Sequence, residues 1–111
     1  MAEKAVELDD QLGEAYSNLG MIRYYYRDFE KSEKLLKKGI ELNPNQVNGY
    51  VWNSVFLSMQ GRHQEAVNEA KKAFEIDPSS GFHQNHYVWV LYHSRRFDEA
   101  LAVSKKAVES E

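Results

Sequence analysis

The sequence predicts an all-α fold made by repeating one two-helix unit. Three observations predict it: a 34-residue period of chemically like residues, apolar side chains at helical spacing inside each period, and prolines only where a period ends. Lys4, Lys38, Lys72 and Lys106 are each 34 residues apart. The next columns read Ala5, Gly39, Ala73, Ala107, then Val6, Ile40, Phe74, Val108, then Glu7, Glu41, Glu75, Glu109. Leu8, Leu42 and Ile76 follow, and Asn43-Pro44 recurs as Asp77-Pro78. Five consecutive columns agree in chemical type, which chance does not explain.

The elements follow in order. Residues 1–12 read as the tail of an earlier copy, with a helix over about 2–9 and Asp10 where the proline would stand. The copies are set at 13–46, 47–80 and 81–111, the third stopping just before its own proline, and together they form a single domain. In the first copy Tyr16, Leu19, Gly20 and Ile22 recur at helical spacing and predict a helix over about 14–26. The polar pair Arg27-Asp28 makes the turn. Phe29, Ser32, Leu35, Leu36, Gly39, Ile40 and Leu42 predict the second helix, about 30–42. It must end at Asn43-Pro44, because proline lacks an N–H and disfavours helix at the residue before it. Glu30–Lys34 and Glu33–Lys37 are supportive i,i+4 pairs. The same register predicts helices at about 48–60, 64–76, 82–94 and 98–109. Small residues at Gly20, at Ser32/Ala66/Ala100 and at Gly39/Ala73/Ala107 predict close helix crossings, where a larger side chain would overpack at about 1–3 kcal/mol.

Composition narrows the function. The chain has 111 residues, a formal net charge of −3 and no cysteine. That balance does not suit a nucleic-acid binder, which carries a basic stripe. Disulfides and thiolate metal sites are excluded, and the lack of cysteine fits a cytoplasmic setting. No stretch approaches the roughly 20 apolar residues of a membrane span, so no membrane insertion is expected. His83, His86 and His93 could be read as metal ligands, but they lack an acidic or cysteine partner in register, and no metal is expected. Tyr24-Tyr25-Tyr26 is no base-stacking platform, since consecutive helical residues point in different directions. There is no Gly-rich phosphate loop, zinc-protease pattern or nucleophile elbow. Asp9-Asp10 and Asp98-Glu99 read as helix-end charges. The chain reads as non-enzymatic and without a cofactor.

The period and pattern resemble the tetratricopeptide repeat. The second copy carries it in Tyr50, Gly61-Arg62, Glu65-Ala66 and Ala73-Phe74-Glu75-Ile76-Asp77-Pro78. The first carries it in Tyr16, Asn18-Leu19-Gly20, Asp28-Phe29 and Ile40 to Pro44, and the third in Arg96-Phe97-Asp98-Glu99-Ala100. Arg23 and Gln84 replace usual aromatics, and Arg27 and Arg95 stand where the turn often has glycine. The resemblance implies a right-handed superhelical stack of antiparallel helix pairs whose first helices line a concave groove. The groove positions it implies are Glu14, Ser17, Asn18, Met21, Tyr24 and Tyr25 in the first copy. In the second they are Asn48, Val51, Trp52, Val55, Ser58 and Met59, and in the third Phe82, Asn85, His86, Trp89, Tyr92 and His93.

Met21, Tyr24, Tyr25, Trp52, Val55, Met59, His86, Trp89, Tyr92 and His93 are the expected partner-binding residues. Aromatics and methionine suit interface hot spots, although aromatics at helical spacing also serve as core. None of the groove positions is lysine or arginine. Members of the family that clamp a terminal carboxylate use lysine, arginine and asparagine where this chain has Ser17, Met21, Trp52, Phe82 and His86. The expected ligand is therefore an apolar or aromatic segment of a partner protein. No polar capping helix follows the third copy, so the face with Leu101, Ala107 and Val108 is expected to be sticky, which suggests that the sequence is an excerpt of a longer protein, that this is a self-association face, or both. The alternative function is accordingly an architectural or self-associating spacer in a larger signalling or regulatory protein.

Overall fold

The computed structural model describes the backbone of residues 2–109 and the side chains of residues 11–109. Its helices are α1 (Ala2–Tyr25), α2 (Phe29–Leu42), α3 (Val47–Met59), α4 (His63–Ile76), α5 (Gly81–His93) and α6 (Phe97–Glu109), with no strand among the described residues. They pair as three antiparallel hairpins, α1 with α2, α3 with α4, α5 with α6. The hairpins stack in one direction: α3 packs on both α1 and α2, and α5 on both α3 and α4. The fold is the expected right-handed solenoid of helix pairs.

One helix differs from expectation. The break expected between residues 9 and 14 is absent, and α1 runs unbroken for 24 residues. Asp10 removes no backbone donor, as a proline would, so nothing stops the helix there. Gly13 disfavours helix by only about 1 kcal/mol.

The turns within the three hairpins share one geometry. Arg27, Gly61 and Arg95 all lie in the left-handed region, at φ 61°, 77° and 61°. In each, the next residue's N–H reaches back to a carbonyl of the preceding helix: Asp28 to Arg23, Arg62 to Leu57, and Arg96 to Leu91, at 2.9–3.0 Å. This helix-ending motif favours glycine at its left-handed residue. Asp28 then caps α2 by accepting from Lys31 N–H, and Ser80 caps α5 by accepting from His83 N–H.

The small-residue columns let the hairpins close. Ser32, Ala66, Ala70 and Ala73 are fully buried. The Ser32 hydroxyl donates to the Gly20 carbonyl at 2.7 Å, which fixes the α1–α2 crossing. A core of Leu36, Phe56, Leu57, Val67, Tyr87, Val90 and Leu91 runs through the stack. A smaller cluster of Tyr50, Val51 and Ala73 lies beside it, and Tyr50 donates its hydroxyl to the Pro44 carbonyl at 2.6 Å. Arg62 pairs with Glu33 at 2.7 Å across the junction of the first two copies, and this hydrogen bond holds the Glu33 carboxyl below its usual pKa.

Candidate interaction surface

In a stack of hairpins each first helix must do two things. One stripe packs against neighbouring helices, and the remaining face stays open. The rings left on the open face of α5 lie four and three residues apart, so they fall on one side. Phe82 stacks on His86 with centroids 6.5 Å apart and planes 7° apart. His86 stacks on Trp89 at 6.1 Å and 15°. Trp89 and His93 meet at 4.1 Å, and His93 Nδ1 lies 2.9 Å from the Trp89 carbonyl oxygen. Tyr92 meets His93 edge-on at 5.4 Å and Phe97 at 5.5 Å. The result is a ladder of rings along one helix, in which each ring restricts its neighbours.

His86 is the polar rung. Its Nε2 lies 2.5 Å from the Ser54 hydroxyl, tying the third copy to the second. Burial, helped by the nearby His83, holds its pKa below the usual value, so the ring is neutral at pH 7. His83 Nε2 lies 3.9 Å from Asp77. Among the described residues no group of three or more His, Cys, Asp or Glu side chains is placed to hold a metal ion.

The residues singled out from sequence divide into two sets. Tyr25, Trp52, Met59, Trp89, Tyr92 and His93 are exposed, Trp52 at 37%. Met21, Tyr24, Val55 and His86 are half-buried. Tyr24 meets Phe56 edge-on at 6.1 Å and Phe29 at 5.6 Å, and both Met21 and Tyr24 pack against the core. Three further groove positions are not open at all. Ser17, Val51 and Ser58 are buried, because they lie at the edge of the packing stripe. Ser17 sits under Gly39 of α2, and Val51 packs with Tyr50 and Ala73. The ladder also takes in Phe82, left off the sequence short list, and touches Phe97 of α6. The signal for Phe82 was present, as the opening groove position of its copy. On α6, Leu101 and Val108 are exposed, whereas Ala107 is half-buried.

This architecture defines a helical-repeat scaffold for contacts between proteins. A tetratricopeptide-repeat family model matches residues 13–46. The small glutamine-rich tetratricopeptide repeat-containing protein 2 of Mycosarcoma maydis is 32% identical over 83 residues, covering 75% of this chain and 24% of that protein. The transcriptional regulator HilA of Salmonella typhimurium is 27% identical over 103 residues, covering 90% of this chain and 18% of the regulator. The crystal structure of MamA protein superposes with a TM-score of 0.77 at 25% identity, over 96% of this chain and 58% of that one. The chain thus spans about a quarter or less of the length of these curated relatives. It belongs to the tetratricopeptide-repeat family. That family is a non-enzymatic interaction fold, and the chain is a protein-interaction module. No helix among the described residues is long and apolar enough to cross a membrane.

Proposed function

We propose that the first helices of the three hairpins, α1, α3 and α5, dock an apolar or aromatic peptide or helix of a partner protein. The exposed ladder from Phe82 to Tyr92 supports this reading most. Exposed rings that stack on one another are already ordered, so they lose little conformational entropy when a ligand covers them. Trp52 of α3 and Tyr25 of α1 extend the apolar surface into the neighbouring hairpins. A ligand with an acidic terminus would find no lysine or arginine at the groove positions, so its charge would lose hydration without gaining a partner.

Selection from a random peptide display library, on this chain and on Trp52→Ala in parallel, tests the reading. Apolar or aromatic peptides should be enriched on the wild-type chain. The variant should bind them about 30-fold more weakly, the equivalent of about 2 kcal/mol. Trp52 is partly exposed on a helix, so its removal should leave helicity intact. Peptides that bind both chains equally, or no enrichment at all, would count against the groove.

A further inference from the structure

A pocket of about 460 Å³ opens between α4, α5 and α6, lined by Phe74, Pro78, Gln84, Val103 and Lys106. None of these is a groove position. Each has a counterpart 34 residues earlier: Ile40, Pro44, Tyr50, Glu69 and Lys72. In that earlier copy the place is filled. Tyr50 is buried there, with Ile40 and Val47 packed against its cluster. Its hydroxyl donates to the Pro44 carbonyl at 2.6 Å, and the Lys72 ammonium stands 5.7 Å from its ring centroid. Ring, carbonyl and cation form one closed unit.

The third hairpin keeps the walls and lacks the occupant. Gln84 stands in place of the tyrosine and brings no ring. Gly81 stands in place of Val47, and no atom lies within 4 Å of a Cβ built on it, so open space continues beside the pocket. The walls are more apolar than before, with Phe74 for Ile40 and Val103 for Glu69. Phe74 is steadied by Tyr87, their centroids 5.6 Å apart. Lys106 keeps the cation, without the carboxylate that Glu69 holds 3.4 Å from Lys72. Pro78 keeps the carbonyl, and among the described residues no backbone N–H donates to it. A further repeat after α6 does not fill this pocket. The ring that fills the earlier one stands on α3, in the same hairpin as Lys72, and not on the hairpin that follows.

We infer that the pocket takes the tyrosine side chain of a partner polypeptide. The ring enters against Phe74 and Val103, where burial and aromatic contact favour it. The Lys106 ammonium meets the negative face of the ring. The hydroxyl donates to the Pro78 carbonyl, as that of Tyr50 does to Pro44. Phenylalanine would cover this carbonyl without supplying a donor, which a buried acceptor disfavours. The tyrosine belongs to a polypeptide because the vacancy is larger than its ring. Val47 lies three residues before Tyr50, and the matching space at Gly81 is open for an apolar neighbour of the incoming tyrosine.

The acetylated and amidated peptide Val-Asn-Gly-Tyr-Val, the sequence of residues 47–51, is the probe, followed by NMR titration of the full chain. Backbone signals of Phe74, Gln84, Val103 and Lys106 should shift saturably. The same peptide with phenylalanine for tyrosine should bind about fivefold more weakly, for want of one hydrogen bond. p-Cresol should also bind at least about fivefold more weakly, because it leaves the space at Gly81 empty. Gln84→Tyr fills the pocket from within, so it should raise Tm by roughly 4 °C and remove binding. Lys106→Met, at an exposed position, should weaken binding about threefold. Trp52→Ala should bind the peptide like the wild type, which separates this pocket from the groove. Shifts that are absent from the pocket or do not saturate, or a phenylalanine peptide bound equally well, would overturn the inference. So would undiminished binding by Lys106→Met or by folded Gln84→Tyr. p-Cresol bound as tightly as the peptide would overturn the assignment to a polypeptide, by making a small phenol the ligand.

Discussion

Replacing Gly39 by alanine should destabilise the fold, although alanine is the better helix former. Gly39 lies in the interior of α2, where alanine alone would gain about 1 kcal/mol. A Cβ built there, however, falls 2.7 Å from the Gly13 carbonyl oxygen and 3.1 Å from the Ser17 backbone nitrogen of α1, and closer still to the Ser17 hydroxyl. Two of these atoms are backbone, so no side-chain rotation relieves the contact and α1 as a whole must move. Overpacking of this kind costs about 1–3 kcal/mol, and a backbone collision falls in the upper part of that range. The net loss is about 1–2 kcal/mol, or roughly 4–8 °C in Tm for a domain of this size. Gly49 gives the control. It too is a buried glycine in a helix, but its Cβ would crowd only the Ile40 Cγ1, at 3.2 Å, a side-chain atom that need give by only a few tenths of an ångström while the backbone stays in place. Gly49→Ala should therefore be neutral or stabilising. Thermal and urea unfolding followed by circular dichroism measures both variants. A Gly39→Ala chain at least as stable as the wild type, or less destabilised than Gly49→Ala, would refute the reasoning.

Two further outcomes follow from local geometry. Gly61→Ala should lose about 1 kcal/mol of unfolding free energy, because φ is 77° there and no atom lies within 4 Å of the new Cβ, so the loss is purely a left-handed backbone penalty. A urea-midpoint shift below a quarter of that size would contradict it. His86 should make the fold less stable as pH falls from about 6.5 toward its lowered folded pKa, since the unfolded chain takes up the proton first. Stability measured from pH 7.5 to pH 5 should show this slope in the wild type and lose it in His86→Gln. An equal slope in both would assign it to other groups.

The fold could be read from the sequence because its signals repeat. A single Asn-Pro pair is weak evidence for a helix end, whereas Asn43-Pro44 and Asp77-Pro78 in register with the one column of Lys4, Lys38, Lys72 and Lys106 leave little choice. Even the turn was legible, for Arg27 and Arg95 take the left-handed conformation of the glycine column they replace. What could not be read was the continuation of α1 through Asp10. Residues 4–8 match the ends of α2 and α4 column by column, but a helix stops where its backbone is interrupted, and Asp10 interrupts nothing. The expected interaction face was legible only in part. Column rules say which positions point away from the second helix, but not how far a large neighbour leans over them. Tyr24 reaches into the core because Phe56 and Phe29 offer it rings to pack on. Ser17 is covered because Gly39 lets α2 come so close.

The division between packing and recognition can be argued from how much the copies differ. The columns that close the hairpins hold near-equivalents in every copy: Ser32, Ala66 and Ala100, or Gly39, Ala73 and Ala107. Each must fit the same gap, since the same helix crossing recurs, and a change of volume there is felt directly. The columns on the open face hold no such equivalents: Asn18, Trp52 and His86 share one, Met21, Val55 and Trp89 another, Tyr25, Met59 and His93 a third. Packing places no common demand on them, so their variation is where a scaffold of identical units can acquire an individual surface. The terminal faces fall between these cases. Leu19, Ile22 and Leu101 stand exposed, although Asn53, Tyr87, Phe56, Val90 and Val67 in the same columns are buried.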